Sequence, residues 1–171
     1  MRYRRAYAPG GTFFFTLVTK NRYPFFSDPE KVAIFGQEIR AYRITRPFRV
    51  DAIVVLPDHI HCLWTLPEGD SDYSTRWRLI KQAVTKKIHS LENDGTSASI
   101  WQPRYWEHQI RDATDFRSHV EYIHYNPVKH GLVESVRHWP YSSFHTYVQC
   151  GEYDQEWGVS GVVFNDDIGR E

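Results

Sequence analysis

Phe48-Arg49-Val50-Asp51-Ala52-Ile53-Val54-Val55-Leu56-Pro57-Asp58-His59-Ile60-His61-Cys62-Leu63-Trp64-Thr65-Leu66 is the stretch on which the fold turns. Residues 48–56 are rich in branched side chains and read as a strand, and residues 59–66 read as another. Only Pro57-Asp58 lies between them. A parallel crossover needs roughly a dozen residues or more, so these two strands form an antiparallel hairpin. Side chains along a strand alternate between its faces. His59 and His61 therefore project from one face, and Ile60 and Cys62 from the other.

Upstream of the hairpin, Pro9-Gly10-Gly11 is a turn and residues 12–19 are an aromatic and branched strand. Asp28 can cap a helix that has Pro29 at its first position and runs to about residue 42, with Val32, Phe35 and Ile39 facing inward. Downstream, Ser74 or Thr75 caps a second helix over residues 74–90, carrying Trp77, Ile80, Val84 and Ile88. A polar loop over residues 92–99 leads to a fourth strand over 100–110. A third helix starts in Asp112-Ala113-Thr114-Asp115 and runs to Asn126, where Pro127 stops or kinks it. The order strand, helix, strand, strand, helix, strand defines an α+β fold with a ferredoxin-like split βαβ core: an antiparallel sheet with two helices on one face. The third helix is an addition at its C-terminal end. Residues 1–150 read as one catalytic domain, and residues 151–171 as an acidic, weakly ordered tail.

Composition narrows the class. A chain of 171 residues can bury a real core but not two sizeable domains. Aromatic residues make up 16% of it, enough to fill a core and leave rings for stacking on bases. Cys62 and Cys150 form no C-x-x-C pair, which disfavours a cysteine zinc site. No apolar run reaches the ~18 residues of a membrane span, and no targeting pattern opens the chain. The expectation is a cytoplasmic protein with reduced thiols. Net charge is zero but unevenly spread: residues 1–50 hold ten Lys or Arg against three Asp or Glu, and residues 150–171 hold six acids and one Arg. A basic body of this kind suits a polyanionic partner.

Two imidazoles side by side can hold a divalent cation that polarises a phosphate. The same spacing also fits two histidines on the solvent side of a hairpin, and a catalytic metal needs a third ligand. Tyr122-Ile123-His124-Tyr125-Asn126 offers one. On a helix, Tyr122 and Asn126 are four apart and share a face. Asn126 could give its amide oxygen to the metal, with Tyr122 one turn away to attack phosphorus. A tyrosine hydroxyl is a poor nucleophile unless activated, and the commoner fate of such a residue is a ring in the core. Tyr125 lies about 100° around the helix from Asn126 and is less well aimed, and His124 faces away. The remaining histidines, His130 among them, show no paired spacing. Arg76, Arg78, Lys81, Lys86 and Lys87 lie on the second helix with no acid among them, and could hold phosphates. Arg2, Arg4 and Arg5 could form a basic arm. Tyr23, Trp77, Trp101, Tyr105 and Trp106 are stacking candidates, or core.

Leu56-Pro57-Asp58-His59-Ile60-His61-Cys62-Leu63-Trp64 and Tyr122-Ile123-His124-Tyr125-Asn126-Pro127-Val128-Lys129-His130-Gly131-Leu132-Val133 resemble the REP-associated tyrosine transposases. Trp101-Gln102, the run from Tyr105 to Arg111, and Trp139-Pro140-Tyr141-Ser142-Ser143 look like that family too, and the resemblance spans about residues 5–148. It implies a histidine–hydrophobic–histidine metal motif at His59 and His61, Asn126 as a further ligand, and Tyr122 as nucleophile. It implies Mg²⁺ or Mn²⁺ as the metal. The implied substrate is single-stranded DNA beside an imperfect palindromic hairpin, cut and rejoined through a 5′-phosphotyrosine. Two alternatives stand beside it: a hairpin-DNA-binding protein without strand transfer, and a metal-dependent phosphodiesterase using water. A monomer suffices if Tyr122 reaches its own metal site, and a homodimer is needed if it crosses. A tail can also cover a basic groove, so the acidic C-terminus could be autoinhibitory.

Overall fold

The hairpin forms as its two-residue link requires. In the computed structural model, which describes residues 10–164 and 168, β2 (Arg49–Val55) pairs antiparallel with β3 (His59–Thr65), and Val55 stands opposite Ile60. β1 (Thr12–Val18) pairs antiparallel with the other edge of β3, and β4 (Trp106–Gln109) with the outer edge of β1. The resulting order, β2-β3-β1-β4, is that of the ferredoxin-like fold.

The two faces of the sheet bury different layers. Phe13, Phe15 and Leu17 of β1 and Ile60, Cys62 and Trp64 of β3 point one way. They pack against α1 (Pro29–Thr45) through Phe35 and Ile39, and against α2 (Tyr73–Glu92) through Trp77, Ile80, Val84 and Ile88. Trp64 stacks on Trp77 with ring centroids 3.9 Å apart, so Trp77 is core and not a base platform. Trp101, 2% exposed, belongs to the same layer. Each such ring contributes about 1.5–3 kcal/mol by burial alone. On the opposite face Phe14, Ala52, Val54 and Leu63 meet Val120, Tyr122 and Ile123 of α3 (Ala113–Lys129). The histidine face of β3 therefore lies under α3.

Local chemistry sets the helix ends. Asp28 caps α1, its carboxylate accepting from the Glu30 N–H, with Pro29 first as expected. The cap of α2 is Asp72, accepting from the Thr75 N–H, and not Ser74 or Thr75. The helix starts earlier because Tyr73, 1% exposed, belongs to the core. Asp112 caps α3. Pro127 does not stop α3, which runs on to Lys129 and closes at Gly131, whose φ of 66° favours a residue without Cβ.

The fourth strand is shorter than the expected 100–110. Ile100 and Trp101 turn into the core layer, and Trp101 forms an isolated bridge with Thr19. The outer edge of β2 is covered by the segment after α3. Tyr141 accepts from the Val55 N–H at 2.9 Å, and the Trp139 indole donates to the Val55 carbonyl at 3.0 Å. Ser143 exchanges main-chain and hydroxyl bonds with Ile53. This covering satisfies an otherwise open edge. A short helix, α4 (Phe144–Gln149), follows. Tyr153 and Trp157, in the segment expected to be weakly ordered, stack with centroids 4.6 Å apart and continue a ring cluster with Phe144 and Tyr147. Among the described residues, no helix is long and apolar enough to cross a membrane.

Candidate metal and nucleophile site

His59 and His61 are both buried beneath α3, with ring centroids 4.9 Å apart. They are not solvent-side histidines. Each ring is fixed through Nδ1: His59 to the Asp58 carboxylate at 2.6 Å, and His61 to the Thr16 hydroxyl at 2.9 Å. An imidazole held at one nitrogen presents the other, Nε2, as a ligand in a set orientation, and a carboxylate behind the ring raises its basicity. Burial acts to raise the Asp58 carboxyl, but bonds and charges from His59 and Arg22 outweigh it and hold the group below its ordinary value. It stays ionised behind His59.

α3 brings its own side chains to this pair. The Tyr122 ring, 1% exposed, stands edge-on to His61 with centroids 5.3 Å apart. One turn past Asn126, the His130 ring lies 4.9 Å from that of His59. Tyr122, Asn126 and His130 are spaced by four and share a helix face. Asn126 thus sits between two residues that each touch one histidine. It is fully buried, and among the described residues neither its carboxamide oxygen nor its nitrogen has a hydrogen-bond partner. A buried amide in that state costs about 1–3 kcal/mol unless something fills its coordination. Two oriented imidazoles and a carboxamide oxygen are a donor set that fits a divalent cation with open positions.

The neighbours of Tyr122 on α3 go elsewhere. Tyr125 contacts Trp157 and Phe164. His124 is fully buried on the far side, bonded to the Ser143 hydroxyl at 2.8 Å, and burial with some help from His145 pushes it down to about 3. Phe164 stands edge-on to Tyr122 at 5.5 Å. Away from the pair, His108, Asp115 and His119 form a second group with their ligand atoms within 4.8 Å of one another. Its Asp115 carboxylate is already taken by His108 and by the Arg111 main chain and side chain.

The basic candidates on α2 divide. Arg76 is 3% exposed and bonds to Asp70, to the Asp72 carbonyl, and to the carbonyls of Arg46 and Pro47. These bonds staple the loops around it and leave its side chain buried. Lys87 pairs with Glu38 of α1. Arg78, Lys81 and Lys86 line a cleft of about 1220 Å³ between α2 and residues 93–105, on the sheet face away from α3. Burial lowers Lys81 to about 8, and it donates to the Gln102 carbonyl beside the Trp101 and Tyr105 rings. Tyr23 is exposed, while Tyr105 and Trp106 are half-buried. Arg2, Arg4 and Arg5 lie outside the described residues. Sequence reading passed over Lys129 and His130. The available signal was that His130 continues the spacing from Tyr122 through Asn126.

These parts define a DNA transposase: the family model described as "Transposase IS200 like" matches residues 11–126, from β1 to Asn126. A REP-associated tyrosine transposase of Escherichia coli is 48% identical over 163 residues, covering 95% of this chain and 94% of that one. A Haemophilus influenzae protein assigned to the same type is 41% identical over 167 residues, covering 91% of this chain and 92% of that one. A solved structure of a REP-associated tyrosine transposase bound to a REP hairpin is 43% identical, superposes with a TM-score of 0.85, and covers 100% of this chain and 98% of that one. The chain belongs to the IS200-like transposases and, within them, to the REP-associated tyrosine transposases.

Proposed function

We propose that this enzyme cuts and rejoins single-stranded DNA beside a palindromic hairpin, with Tyr122 as nucleophile and His59, His61 and Asn126 as the ligands of Mg²⁺ or Mn²⁺. The Tyr122 oxygen attacks phosphorus and the bond from phosphorus to O3′ breaks. The products are a 5′-phosphotyrosine and a free 3′-OH. Rejoining is the reverse attack by a 3′-OH, and the phosphotyrosine conserves the bond energy, so no ATP is needed. The bound cation would supply positive charge to the phosphate oxygens as charge builds on them. Asp58 and Thr16 hold the two imidazoles, and the α3 backbone fixes Tyr122 relative to Asn126.

The observation that carries this reading is the packing of Tyr122 against His61 of the same chain, while Tyr125 points to Trp157. It also supports a reaction within one chain. Binding of the hairpin is supported by the relative solved with a REP hairpin. Arg78, Lys81 and Lys86 are candidates for flanking phosphates, and Arg2, Arg4 and Arg5 remain candidates for the bases beside the hairpin. A DNA-acting enzyme of this kind would work in the cytoplasm. The test is incubation of palindromic hairpins carrying single-stranded flanks with the protein and Mn²⁺, resolved on denaturing gels. A covalent adduct that survives in Tyr125→Phe and is lost in Tyr122→Phe is expected. Cutting without an adduct would point to water as nucleophile, and binding without cutting to a module that only recognises DNA.

A further inference from the structure

We infer that Lys129 is a catalytic residue of the strand-transfer reaction, holding the Tyr122 oxygen and stabilising the negative charge that gathers there. This rests on Tyr122 being the nucleophile. Lys129 is the last residue of α3, two turns beyond Tyr122 and on the same side of the helix. Its Nζ donates to the Tyr122 hydroxyl at 2.8 Å. The same nitrogen is 4.8 Å from the centre of the Tyr122 ring, so it sits beside the oxygen rather than over the ring face. A hydrogen bond received from Lys129 turns the hydroxyl's own proton away and leaves the ammonium against the oxygen.

The charge at that oxygen changes twice. In cleavage the bond from Oη to phosphorus forms, the bond from phosphorus to O3′ breaks, the phenol proton passes to water, and O3′ takes one up from water. In rejoining, Oη leaves and the sequence reverses. Oη is the entering oxygen in one direction and the leaving oxygen in the other, and carries excess negative charge near both transition states. An ammonium already in contact with it meets that charge without reorganisation. The termination of α3 supports the placement: the Gly131 N–H donates to the Val128 carbonyl and the Leu132 N–H to the Pro127 carbonyl, which fixes the backbone at Lys129. Lys129 itself is exposed, so its substitution leaves the core intact.

The test is single-turnover adduct formation on an oligonucleotide carrying a palindromic hairpin with single-stranded flanks, at saturating protein and with Mn²⁺. Lys129→Met is expected to slow the step about 10²- to 10³-fold, the range for losing one preorganised donor, with hairpin affinity changed less than about threefold. Lys129→Arg should recover most of the rate, and a primary alkylamine should partly rescue Lys129→Ala. A Lys129→Met rate within about threefold of the parent protein overturns the assignment. An adduct still formed by Tyr122→Phe overturns both this assignment and the nucleophile itself. Normal Lys129→Met with an inactive Tyr122→Phe overturns the lysine's role alone.

Discussion

Asn126→Leu should make the metal-free protein more stable and the metal-loaded protein less so. Asn126 is fully buried with both ends of its carboxamide unpartnered among the described residues. Each buried polar group left that way costs about 1–3 kcal/mol, and Leu, of similar volume, removes the groups rather than a bond. Allowing some strain from the two methyl groups that replace the carboxamide oxygen and nitrogen, the EDTA-treated variant should gain about 1–2 kcal/mol. For a chain of this length that is a rise of about 2–8 °C in Tm. In the parent protein a cation present at a hundred times its dissociation constant adds about 2.7 kcal/mol. The variant, with one of three ligands gone, should lose most of that increment. Thermal unfolding of both proteins in EDTA, and in a Mn²⁺ series, gives all four numbers. A variant less stable than the parent in EDTA, with the parent's full metal-induced shift retained, would show that Asn126 is a structural amide and not a ligand.

The basic residues of α2 should separate by kind. Arg76→Met should destabilise the fold by about 1–3 kcal/mol, discounted because Asp70 is partly exposed, whereas Arg78→Ala and Lys86→Ala should change stability by less than about 0.5 kcal/mol. If Arg78 and Lys86 touch phosphates, each change lowers the salt slope of DNA binding by about 0.7–0.9, and unchanged slopes would remove the cleft from the DNA path. His124 gives a pH limb: its folded value, about 3, lies below the ordinary 6.5, so its contribution is intact above pH 6.5 and is lost as pH falls toward 3. The slope attributable to it is at most about 1.4 kcal/mol per pH unit, and His124→Gln should flatten the urea midpoint between pH 6 and pH 4 in EDTA. Equal slopes in the two proteins would refute the assignment. Phe164→Ala removes the ring that stands edge-on to Tyr122 and should raise the rate of adduct formation several-fold. An unchanged or lower rate would mean that Phe164 does not limit access.

What the sequence made legible follows from how local the causes are. The hairpin could be read because a two-residue link allows one topology, and the strand alternation put His59 and His61 together. Whether they faced solvent or protein could not be read, because that depends on α3, which lies more than fifty residues later. Arg76 was misplaced for the same reason. A helical pattern shows its neighbours at Asp72 and Ile80, but not the carbonyls of Arg46 and Pro47 that a distant loop brings beside it. Ile100 and Trp101 read as the start of a strand, yet they lie outside β4 and serve the core layer.

Pro127 reads as a point where the helix stops or kinks, yet α3 continues through it to Lys129. A proline inside a helix loses one bond and crowds the preceding turn, at about 3 kcal/mol, which favours ending the helix at Asn126. In α3 the bond lost is the one that the Ile123 carbonyl would accept from position 127, a single bond near the end of the helix. Pro127 is itself buried, and the turn closes through Gly131. Continuing the helix for three residues keeps Lys129 on the Tyr122 side and brings His130 beside His59. Had the chain left the helix at Asn126, the amide would still face the histidines, but Tyr122 would have no cation at its oxygen. The proline that reads as a terminator is therefore tolerated where the last turn carries groups the tyrosine uses.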